Sequence, residues 1–308
     1  MVTGKRVIVT GATGLIGKEV CKGLIARGYE VVVFSRNPDS ARAKVPGAAD
    51  YVAWTPSESG PWAAQLDGAW GVISLAGASI AGKRWDDDYK REIRDTRIIG
   101  TRGLVKAMAA AQEKPKVFIS GSAVGYYGAR DATPLDESAN GGTDFLSGVV
   151  REWEDAAKEA EGLGVRTAMI RTGIVLDKKE GALALQKLPF QFFVGGPILP
   201  GTQWVSWIHR DDEVGIILFA LENEGAHGPI NATGPVPQTS RDFSASLGKA
   251  MGRPSWIPVP GFALKIVVGE FSAGLTTGQR VIPKKAQELG YQFKYQTSEA
   301  ALRQIFGS

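Results

Sequence analysis

The sequence RVIVTGATGLIG, residues 6–17, decides the fold of this chain. Its first five residues, Arg6 to Thr10, form a short apolar, β-branched run of the kind that makes a buried strand. Glycines follow at positions 11, 14 and 17, and residues Lys18 to Arg27 continue with apolar side chains at helical spacing. A strand, a glycine turn and a helix in this order are the context that a dinucleotide-binding fingerprint requires.

Each glycine of this turn has a predicted physical role. Gly11 permits a tight reversal, Gly14 lets the backbone approach a pyrophosphate, and Gly17 lets the helix pack closely against the strand. The start of the helix offers free N–H groups and a partial positive charge to the phosphates. Glycines can also serve only to turn a chain into a helix, but the correct flanks on both sides favour a bound dinucleotide. The predicted contacts from this turn are Gly11, Thr13, Gly14, Leu15, Ile16 and Gly17.

The end of the second predicted strand, Glu30 to Phe34, indicates which dinucleotide binds. In fingerprints of this kind an acidic residue at that point holds the adenosine ribose when the cofactor is NAD. Ser35 and Arg36 stand there instead, and a hydroxyl with a guanidinium suits a 2′-phosphate. The alternative is an arginine that only extends into solvent. We therefore expect NADP, in its reduced form NADPH, as the cofactor, with Ser35 and Arg36 as contacts.

Strand and helix patterns alternate through the first half of the chain. Further strands are predicted at residues 49–54, 69–75, 116–120 and 165–171, and helices at residues 87–112 and 151–161. This alternation predicts an α/β fold with a Rossmann-type, doubly wound parallel sheet. Ligands of such sheets bind beyond the carboxyl ends of the strands. Further cofactor contacts are expected there from Leu75, Ala76, Gly77, Ser120, Arg171, Thr172 and Gly173.

The alternation of strands and helices becomes irregular after Leu176. We expect residues 1–176 to form the NADP-binding Rossmann domain, with residues 204–233 returning to it. Residues 177–203 and 234–308 are expected to form a smaller, mainly helical C-terminal lobe on the substrate side. Two or three helices, joined by connections rich in proline and glycine, are predicted after Pro237.

Composition and charge exclude several classes of function. The net charge of +4 is small for 308 residues, and no basic run with interleaved aromatic residues indicates nucleic-acid binding. No cluster of histidine, cysteine and carboxylate residues in the sequence indicates a metal site. No apolar run is long enough for a membrane span, and the one cysteine, Cys21, fits a reducing compartment. We expect a cytoplasmic protein, or one of an organelle stroma if a targeting peptide has been removed.

The GxxGxxG spacing of residues 11–17 resembles that of the short-chain dehydrogenase/reductase superfamily, in its extended branch of sugar-nucleotide epimerases and dehydratases. That resemblance implies hydride transfer assisted by a serine and by a tyrosine and a lysine spaced YxxxK. Ser122, in SGSAVGYYG, resembles the family's serine. The YxxxK pair belongs within DFLSGVVREWE, residues 144–154, and is absent there. Two alignment registers put other residues in its place, either Leu146 and Val150 or Ser147 and Arg151.

Taken together, the motifs resemble an atypical branch of that superfamily, the epimerase-family proteins of the YfcH type. The resemblance covers essentially the whole chain through TGATGLIG, GKRW, SGSAVGYYG, REWE, RTGIVL and WIHRDD. In that branch the serine remains, an arginine replaces the family's asparagine, and the lysine is replaced, often by cysteine. Arg97 takes the asparagine position and is a further expected cofactor contact, whereas Val150 departs even from the cysteine substitution.

Two functions follow as alternatives. In the first, the chain is an NADP(H)-dependent oxidoreductase or epimerase-like enzyme in which Ser122 acts with a new proton donor. Tyr127 is the first candidate for that donor and Tyr126 the second. Charge stabilisation would come from Lys83, Arg97 and His209. A tyrosine that only lines the pocket and a histidine that only forms a structural hydrogen bond are the alternatives for Tyr127 and His209. In the second, the chain is a catalytically inactive NADP(H)-binding sensor or scaffold.

The substrate is expected to be a small molecule that the sequence does not identify. The resemblance puts its pocket between the main sheet and the C-terminal lobe, with candidate wall residues at Phe192, Trp204, Trp207 and Arg210. Aromatic residues there would also suit the core between the two parts. Members of this superfamily often dimerise through a two-helix face, so a homodimer is a further expectation.

Overall fold

The fold is built around one parallel β-sheet, seen in a computed structural model that describes residues 4–307, apart from the side chains of residues 263 and 266–268. The strands in chain order are β1 (Arg6–Thr10), β2 (Glu30–Ser35), β3 (Asp50–Ala53), β4 (Gly71–Ser74), β5 (Val117–Ala123), β6 (Pro134–Leu135), β7 (Arg166–Thr172), β8 (Ile174–Leu176), β9 (Trp204–Val205), β10 (Trp207–His209), β11 (Gly228–Ala232), β12 (Gln238–Thr239) and β13 (Arg280–Val281). The helices are α1 (Leu15–Ala26), α2 (Pro38–Lys44), α3 (Asp87–Ala110), α4 (Phe145–Lys158), α5 (Gly181–Gln191), α6 (Arg210–Glu222), α7 (Ser240–Met251), α8 (Gly261–Val268), α9 (Ser272–Thr276), α10 (Lys284–Glu288) and α11 (Ser298–Phe306). Short 3₁₀ segments lie at Pro61–Leu66, Val124–Tyr127, Glu159–Leu163 and Gly269–Phe271.

Seven strands form the central sheet in the order β11-β7-β5-β4-β1-β2-β3. All neighbouring pairs are parallel, and Thr10 at the end of β1 lies between Phe34 of β2 and Ser74 of β4. The chain leaves β1 first towards β2 and β3 and later in the opposite direction through β4. This is the doubly wound, Rossmann-type arrangement predicted from the sequence, and the prediction is confirmed. The reversal of strand order at β1 places a ligand crevice at the carboxyl ends of β1 and β4.

Helices cover both faces of the sheet. On one face α1 and α6 pack over a core that includes Val9, Leu24 and Ile216. On the other face α3 and α4 pack over a core that includes Met108 and Phe118. The central strands are apolar along their length because both of their faces are covered.

Helix α4 begins earlier than the sequence pattern at residues 151–161 indicates. Asp144 is its N-cap, and the Asp144 carboxylate accepts a hydrogen bond from the Ser147 backbone N–H at 3.0 Å. Residues 159–161, assigned to this helix from the sequence, lie instead in a separate 3₁₀ turn, Glu159–Leu163. The corrected start matters because it places Leu146 and Val150 on the first turns of a helix that faces the sheet.

The C-terminal segments are attached through three small sheets, which pair β8 with β10, β9 with β12, and β6 with β13. A separate core that includes Trp207, Phe243 and Leu302 joins β10 to α7 and α11. Within the described residues, the helices α7 to α11 follow Pro237, which exceeds the two or three predicted. Proline and glycine residues between them break this part of the chain into short helices.

Two kinds of feature are absent from the part of the chain that the structure describes. No helix in residues 4–307 is long and apolar enough to cross a bilayer. Nor does that range bring together three or more side chains that could hold a metal ion. Cys21 is buried in α1 as a free thiol.

Candidate cofactor cleft and active site

The glycine turn after β1 has the backbone conformation that its sequence predicts. Gly11 has φ of +67°, and a Cβ there would come within 2.6 Å of the Leu75 carbonyl carbon. A Cβ on Gly17 would overlap the Gly11 carbonyl oxygen. These two glycines therefore let the turn approach both α1 and the end of β4.

Gly14 leaves the start of α1 open. It is the N-cap of the helix and is exposed, and a Cβ there would meet only the Gly11 carbonyl oxygen, at 3.3 Å. No side chain caps this helix, and its first turn has no acidic residue. The first-turn N–H groups, including those of Leu15 and Ile16, are thus left without a side-chain acceptor, beside a half-buried Thr13. An uncapped helix start with no acidic neighbour fits a pyrophosphate.

The end of β2 presents an arginine without a partner. Arg36 is exposed, and within residues 4–307 its guanidinium has no ion pair and no hydrogen bond. The Ser35 hydroxyl instead accepts a hydrogen bond from the Asn37 backbone N–H at 3.2 Å. Asn37 in turn caps α2. The predicted 2′-phosphate contact therefore depends chiefly on Arg36, because Ser35 is held by the turn.

The end of β4 lies against a half-buried arginine, Arg97. Leu75 and Ala76 follow the strand, and the Ala76 N–H donates to the Thr10 hydroxyl at 3.3 Å. Gly77 is exposed, and a Cβ on it would lie 2.9 Å from Cζ of Arg97. The absence of a side chain at Gly77 lets the Arg97 guanidinium pack against the backbone at the edge of the sheet.

Arg97 carries a charge that no carboxylate balances within the described residues. Its Nη1 donates to the Ile93 carbonyl oxygen at 2.8 Å, and its Cζ lies 5.3 Å from the centre of the Trp153 ring. Burial lowers the pKa of Arg97 to about 10, with Tyr89 opposing that shift. The guanidinium stays protonated at neutral pH, so the edge of the sheet beside Gly77 is positively charged.

Ser122 is held by a buried carboxylate. The residue lies at the carboxyl end of β5, is 5% exposed, and its hydroxyl donates to Oε1 of Glu154 at 2.6 Å. Glu154 projects from α4 and forms a two-point ion pair with Arg171 of β7, with both N–O distances at 2.8 Å. Ser122 and Arg171 are register partners on the neighbouring strands β5 and β7. The resemblance pointed to the serine and included Glu154 in the REWE motif, but it gave that carboxylate no role.

Tyr127 lies in the interior, which argues against the predicted role of proton donor. Its side chain is 0% exposed, and its hydroxyl donates to Asn231 Oδ1 at 2.7 Å and accepts from Arg171 Nη1 at 3.0 Å. Burial raises the pKa of Tyr127 to about 12, although Arg171 opposes the shift. Tyr126, the second candidate, lies half-buried with its ring 3.5 Å from Cζ of Arg171. The two tyrosines thus surround Arg171.

The structure decides between the two registers for the missing YxxxK pair. Cβ of Leu146 and Cγ2 of Val150 both lie 3.9 Å from the position of a Cβ on Gly125, three residues after Ser122. Arg151 lies instead against Gly141, and the Ser147 hydroxyl is turned back to the Asp144 carbonyl oxygen at 2.8 Å. Leu146 and Val150 therefore occupy the face towards the serine turn, and neither can exchange a proton.

Four of the predicted cofactor contacts lie at the ends of β5 and β7, and each of them has its own neighbours within the protein. Ser120 is fully buried and donates to the Gly121 carbonyl oxygen at 3.1 Å. Arg171 is paired with Glu154, and its contact with the cofactor stays a prediction. A Cβ on Gly173 would overlap the Ser206 carbonyl oxygen, so packing requires this glycine. Thr172 remains half-buried at the edge of the sheet.

Thr172 leads to a buried acid that sequence reasoning missed. Its hydroxyl donates to Oε1 of Glu213 at 2.7 Å, while Oε2 of Glu213 has no hydrogen-bond partner in the described structure. Burial raises the pKa of Glu213 to about 8, although the bond from Thr172 opposes the shift. The carboxyl is therefore mainly protonated at neutral pH. The only signal in the sequence is an acid that directly precedes the apolar run VGIIL.

The remaining candidates for charge stabilisation have structural partners. Lys83 is exposed and pairs with Glu92 at 3.2 Å. His209 caps α6, where its Nδ1 accepts from the Asp211 N–H at 3.0 Å, and burial lowers its pKa. This agrees with the structural alternative given for His209.

The four candidate wall residues do not form one surface. Trp207 is fully buried and its indole N–H donates to the Val236 carbonyl oxygen at 2.9 Å, so it belongs to the core. Arg210 pairs with Asp177 at 2.6 Å. Trp204 is half-buried beneath Arg280, and Phe192 is 74% exposed. An aromatic group formed by Trp85, Phe145 and Phe271, with ring centres 5.4 and 5.7 Å from Trp85, lies instead next to Leu146 in the chain.

Comparison with known proteins places the chain in a family. The NAD dependent epimerase/dehydratase family matches residues 7–145, and a domain of unknown function, DUF1731, matches residues 259–305. The chain is 42% identical over 301 residues to the chloroplastic epimerase family protein SDR39U1 homolog of Arabidopsis thaliana, covering 97% of this chain and 86% of that protein. It is 39% identical over 300 residues to the epimerase family protein YfhF of Bacillus subtilis, covering 97% of each.

Structural comparison gives the same result. The crystal structure of human epimerase family protein SDR39U1 (isoform 2) with NADPH matches with a TM-score of 0.89 and 34% sequence identity, covering 98% of this chain and 99% of that one. The resemblance drawn from the motifs is confirmed for the family, although these relatives carry the names SDR39U1 and YfhF rather than YfcH. The chain belongs to the NAD dependent epimerase/dehydratase family, as an epimerase family protein of the SDR39U1 type.

Proposed function

We propose that this chain is an NADP(H)-dependent oxidoreductase or epimerase-like enzyme that acts on a small alcohol or carbonyl compound. The observation that carries the proposal is the uncapped start of α1 beside the unpaired Arg36, with Ser122 two strands away at the same edge of the sheet. The human relative crystallised with NADPH supports the same cofactor. An NADP-linked enzyme would combine a phosphate site and a proton-handling hydroxyl in this way.

The cofactor would be held mainly by backbone and by one side chain. The N–H groups of Leu15 and Ile16 would bind the pyrophosphate, which Gly14 allows to approach closely, and the Arg36 guanidinium would bind the 2′-phosphate. The backbone of residues 75–77 would lie beside the riboses. When bound, NADPH supplies a hydride to the substrate, or NADP accepts one from it.

The proton would move through Ser122 and Glu154. Because the Ser122 hydroxyl donates to Glu154, its oxygen is left to accept a hydrogen bond from a substrate hydroxyl. In the direction of oxidation, the substrate hydroxyl passes its proton to Ser122 Oγ while Ser122 passes its own proton to the Glu154 carboxylate. In the direction of reduction both transfers reverse, so that protonated Glu154 returns the proton through Ser122 to the carbonyl oxygen.

Tyr127 and Arg171 would act as positioning residues in this scheme. Arg171 holds Glu154 through two hydrogen bonds, and Tyr127 accepts a bond from Arg171 on the other side. Since the Tyr127 hydroxyl is enclosed by protein groups, we propose that it orients the arginine and does not exchange protons with substrate.

The test begins with binding and continues with turnover. Titration followed by nicotinamide fluorescence should show tighter binding of NADPH than of NADH. A panel of small carbonyl compounds and nucleotide sugars is then screened for NADPH oxidation. Ser122→Ala should lower kcat by at least about 100-fold on any active substrate while the Kd for NADPH stays unchanged. No binding of either nucleotide at millimolar concentration would refute the proposal.

The absence of the tyrosine and lysine at positions 146 and 150 favours one competing function, a cofactor-binding sensor or scaffold without turnover. Tight NADPH binding with no oxidation across the whole panel would support it.

For the compartment, we propose the cytoplasm or an organelle stroma, which suits the free thiol of Cys21. We also propose a homodimer through α3 and α4, whose outer faces are linked within one chain by the Arg94–Glu152 and Arg102–Glu159 ion pairs.

A further inference from the structure

Helix α3 has four arginines, and they differ in one respect. Arg91 pairs with Asp88, Arg94 with Glu152 at 2.5 Å, and Arg102 with Glu159 at 3.7 Å. Arg97 alone among them has no carboxylate partner within residues 4–307. It is also half-buried, with its Cζ packed beneath Gly77 at the edge of the sheet and against the Trp153 ring. A partly desolvated cation without a counter-ion is unfavourable, and such sites occur where a ligand supplies the missing charge.

The position of Arg97 in the fold indicates which ligand supplies that charge. Its Cζ lies under Gly77 at the end of β4 and against the Trp153 ring, and Cη2 of that ring lies 2.8 Å from the position of a Cβ on Gly121 in β5. Arg97 is therefore on the β4–β5 side of the crevice, the side of Ser122. The predicted phosphate contacts of the cofactor, at Gly14 and Arg36, lie on the β1–β2 side.

The charges around Arg97 are otherwise balanced. Glu154 is neutralised by Arg171, and Lys83 is neutralised by Glu92. The Tyr89 hydroxyl donates to the Ser79 carbonyl oxygen. Among the side chains that the structure describes, no carboxylate pairs with Arg97, so an anion entering beside Ser122 would meet a guanidinium without a counter-ion.

We propose that Arg97 is the anion-binding residue of the substrate site and that the substrate carries a carboxylate or phosphate group. This inference rests on the proposed function, since it names the substrate class of the same crevice. The planar guanidinium would bind two oxygens of that group and fix the reacting carbon with respect to Ser122. The substrate is then an anionic hydroxy or oxo compound rather than a neutral aldehyde or ketone.

The experiment uses matched probes that differ only in charge. Phenylglyoxylate and methyl phenylglyoxylate form one pair, and dihydroxyacetone phosphate and dihydroxyacetone form the other. Their binding to the protein loaded with NADP is measured by calorimetry, so that no turnover is needed. In the native chain at least one anionic probe should bind about 10- to 100-fold more tightly than its neutral partner. Arg97→Met should abolish that preference, and Arg97→Lys should retain part of it.

The control is Arg94→Met, which removes an arginine one turn away that is already paired, and which should leave the preference unchanged. Thermal unfolding of each variant checks the fold, and Arg97→Met should melt no lower than the native chain because methionine fills a desolvated position. The Kd for NADPH is measured for every variant. If Arg97→Met weakens NADPH binding about tenfold but leaves the preference for the anionic probe intact, Arg97 belongs to the cofactor site. That result would overturn the proposal. Equal or absent binding of both members of both pairs would also overturn it.

These outcomes separate the inference from the proposed function. An Arg97-dependent preference without NADPH oxidation on any substrate would retain the anion site and reject the enzyme. If NADP does not bind, the proposed function fails, and the same probe pairs are then measured on the unliganded chain.

Discussion

Two groups of polar and charged side chains lie at the carboxyl ends of the strands, and they contrast in how fully they are satisfied. Around Arg171 every charged group has a partner, because Glu154, Tyr127 and Ser122 form one continuous set of hydrogen bonds. Along the edge of the sheet the charges of Arg97 and Arg36 have no counter-ion in the described chain, and one oxygen of Glu213 has no partner.

The difference separates charge that is paired within the fold from charge that is left for a ligand. The paired set around Arg171 stabilises packing, and within it only the Ser122 hydroxyl oxygen is offered to a substrate. Unpaired groups persist at an edge where a ligand can complete them. If this interpretation is correct, changes in the Arg171 region should alter stability most, whereas changes along the edge should alter binding or pH dependence.

Glu154→Ala should have the largest effect. It leaves Arg171 buried without its partner, and breaking such a pair costs about 3–5 kcal/mol of unfolding free energy. Glu152→Ala, two residues away on the same helix, breaks an exposed pair with Arg94 and should cost less than about 1 kcal/mol. Urea unfolding measures both variants. A Glu154→Ala variant as stable as its control would remove the contrast between the two regions.

Glu213→Gln should remove a dependence of stability on pH. The folded pKa of about 8 lies above the ordinary value of 4.5, so the unfolded chain releases this proton first. The contribution of protonated Glu213 to the free energy of unfolding is full below pH 4.5, falls as the pH rises to about 8, and is lost above that. At pH 9 the free energy of unfolding of the glutamine variant should exceed that of the native chain by about 2–4 kcal/mol, and at pH 4 the two free energies should be equal.

Denaturant midpoints across this pH range test the Glu213 prediction. Glu222→Gln, on the same helix but pairing with Arg27 at the surface, is the control and should leave the pH profile unchanged. A native chain whose stability rises from pH 5 to 8, with no difference from Glu213→Gln, would contradict the assignment of a protonated acid.

Arg36→Ala should act on cofactor choice and little on stability. Loss of a charged hydrogen bond to the 2′-phosphate should weaken NADPH binding about 10- to 100-fold and leave NADH binding unchanged. Fluorescence titration with both nucleotides measures this, and Arg42→Ala, an exposed arginine of α2, serves as the control. Equal weakening of NADPH and NADH would place Arg36 outside the phosphate site.

Tyr127→Phe should have the smallest effect. The variant loses hydrogen bonds to Arg171 and Asn231 but keeps the ring, so it should cost about 1–2 kcal/mol of stability. On any active substrate kcat should fall by less than about tenfold, and Tyr126→Phe is the comparison. Complete loss of turnover with the fold intact would restore Tyr127 as the proton donor and refute its positioning role.

The local parts of this protein were predictable from the sequence because each depends on neighbours along the chain. The strand at residues 6–10 and the turn at Gly11 and Gly17 follow from apolar runs and from backbone geometry that only glycine tolerates. The parallel order of the strands follows from their alternation with helices. The start of α4 was missed because its signal, the Asp144 cap, precedes a glycine and two valines that favour a helix weakly.

The sequence by itself determined the Rossmann-type sheet, the open start of α1 and the loss of the YxxxK pair, since these are properties of residue type and spacing. Only the tertiary structure decided that Glu154 holds Ser122, that Tyr127 is enclosed, and that Arg97, among the four arginines of α3, has no carboxylate partner within residues 4–307. Ser122 and Glu154 are 32 positions apart, and Tyr127 and Asn231 are 104 apart. Whether a charge is paired depends on what the fold brings beside it, and no local pattern records that.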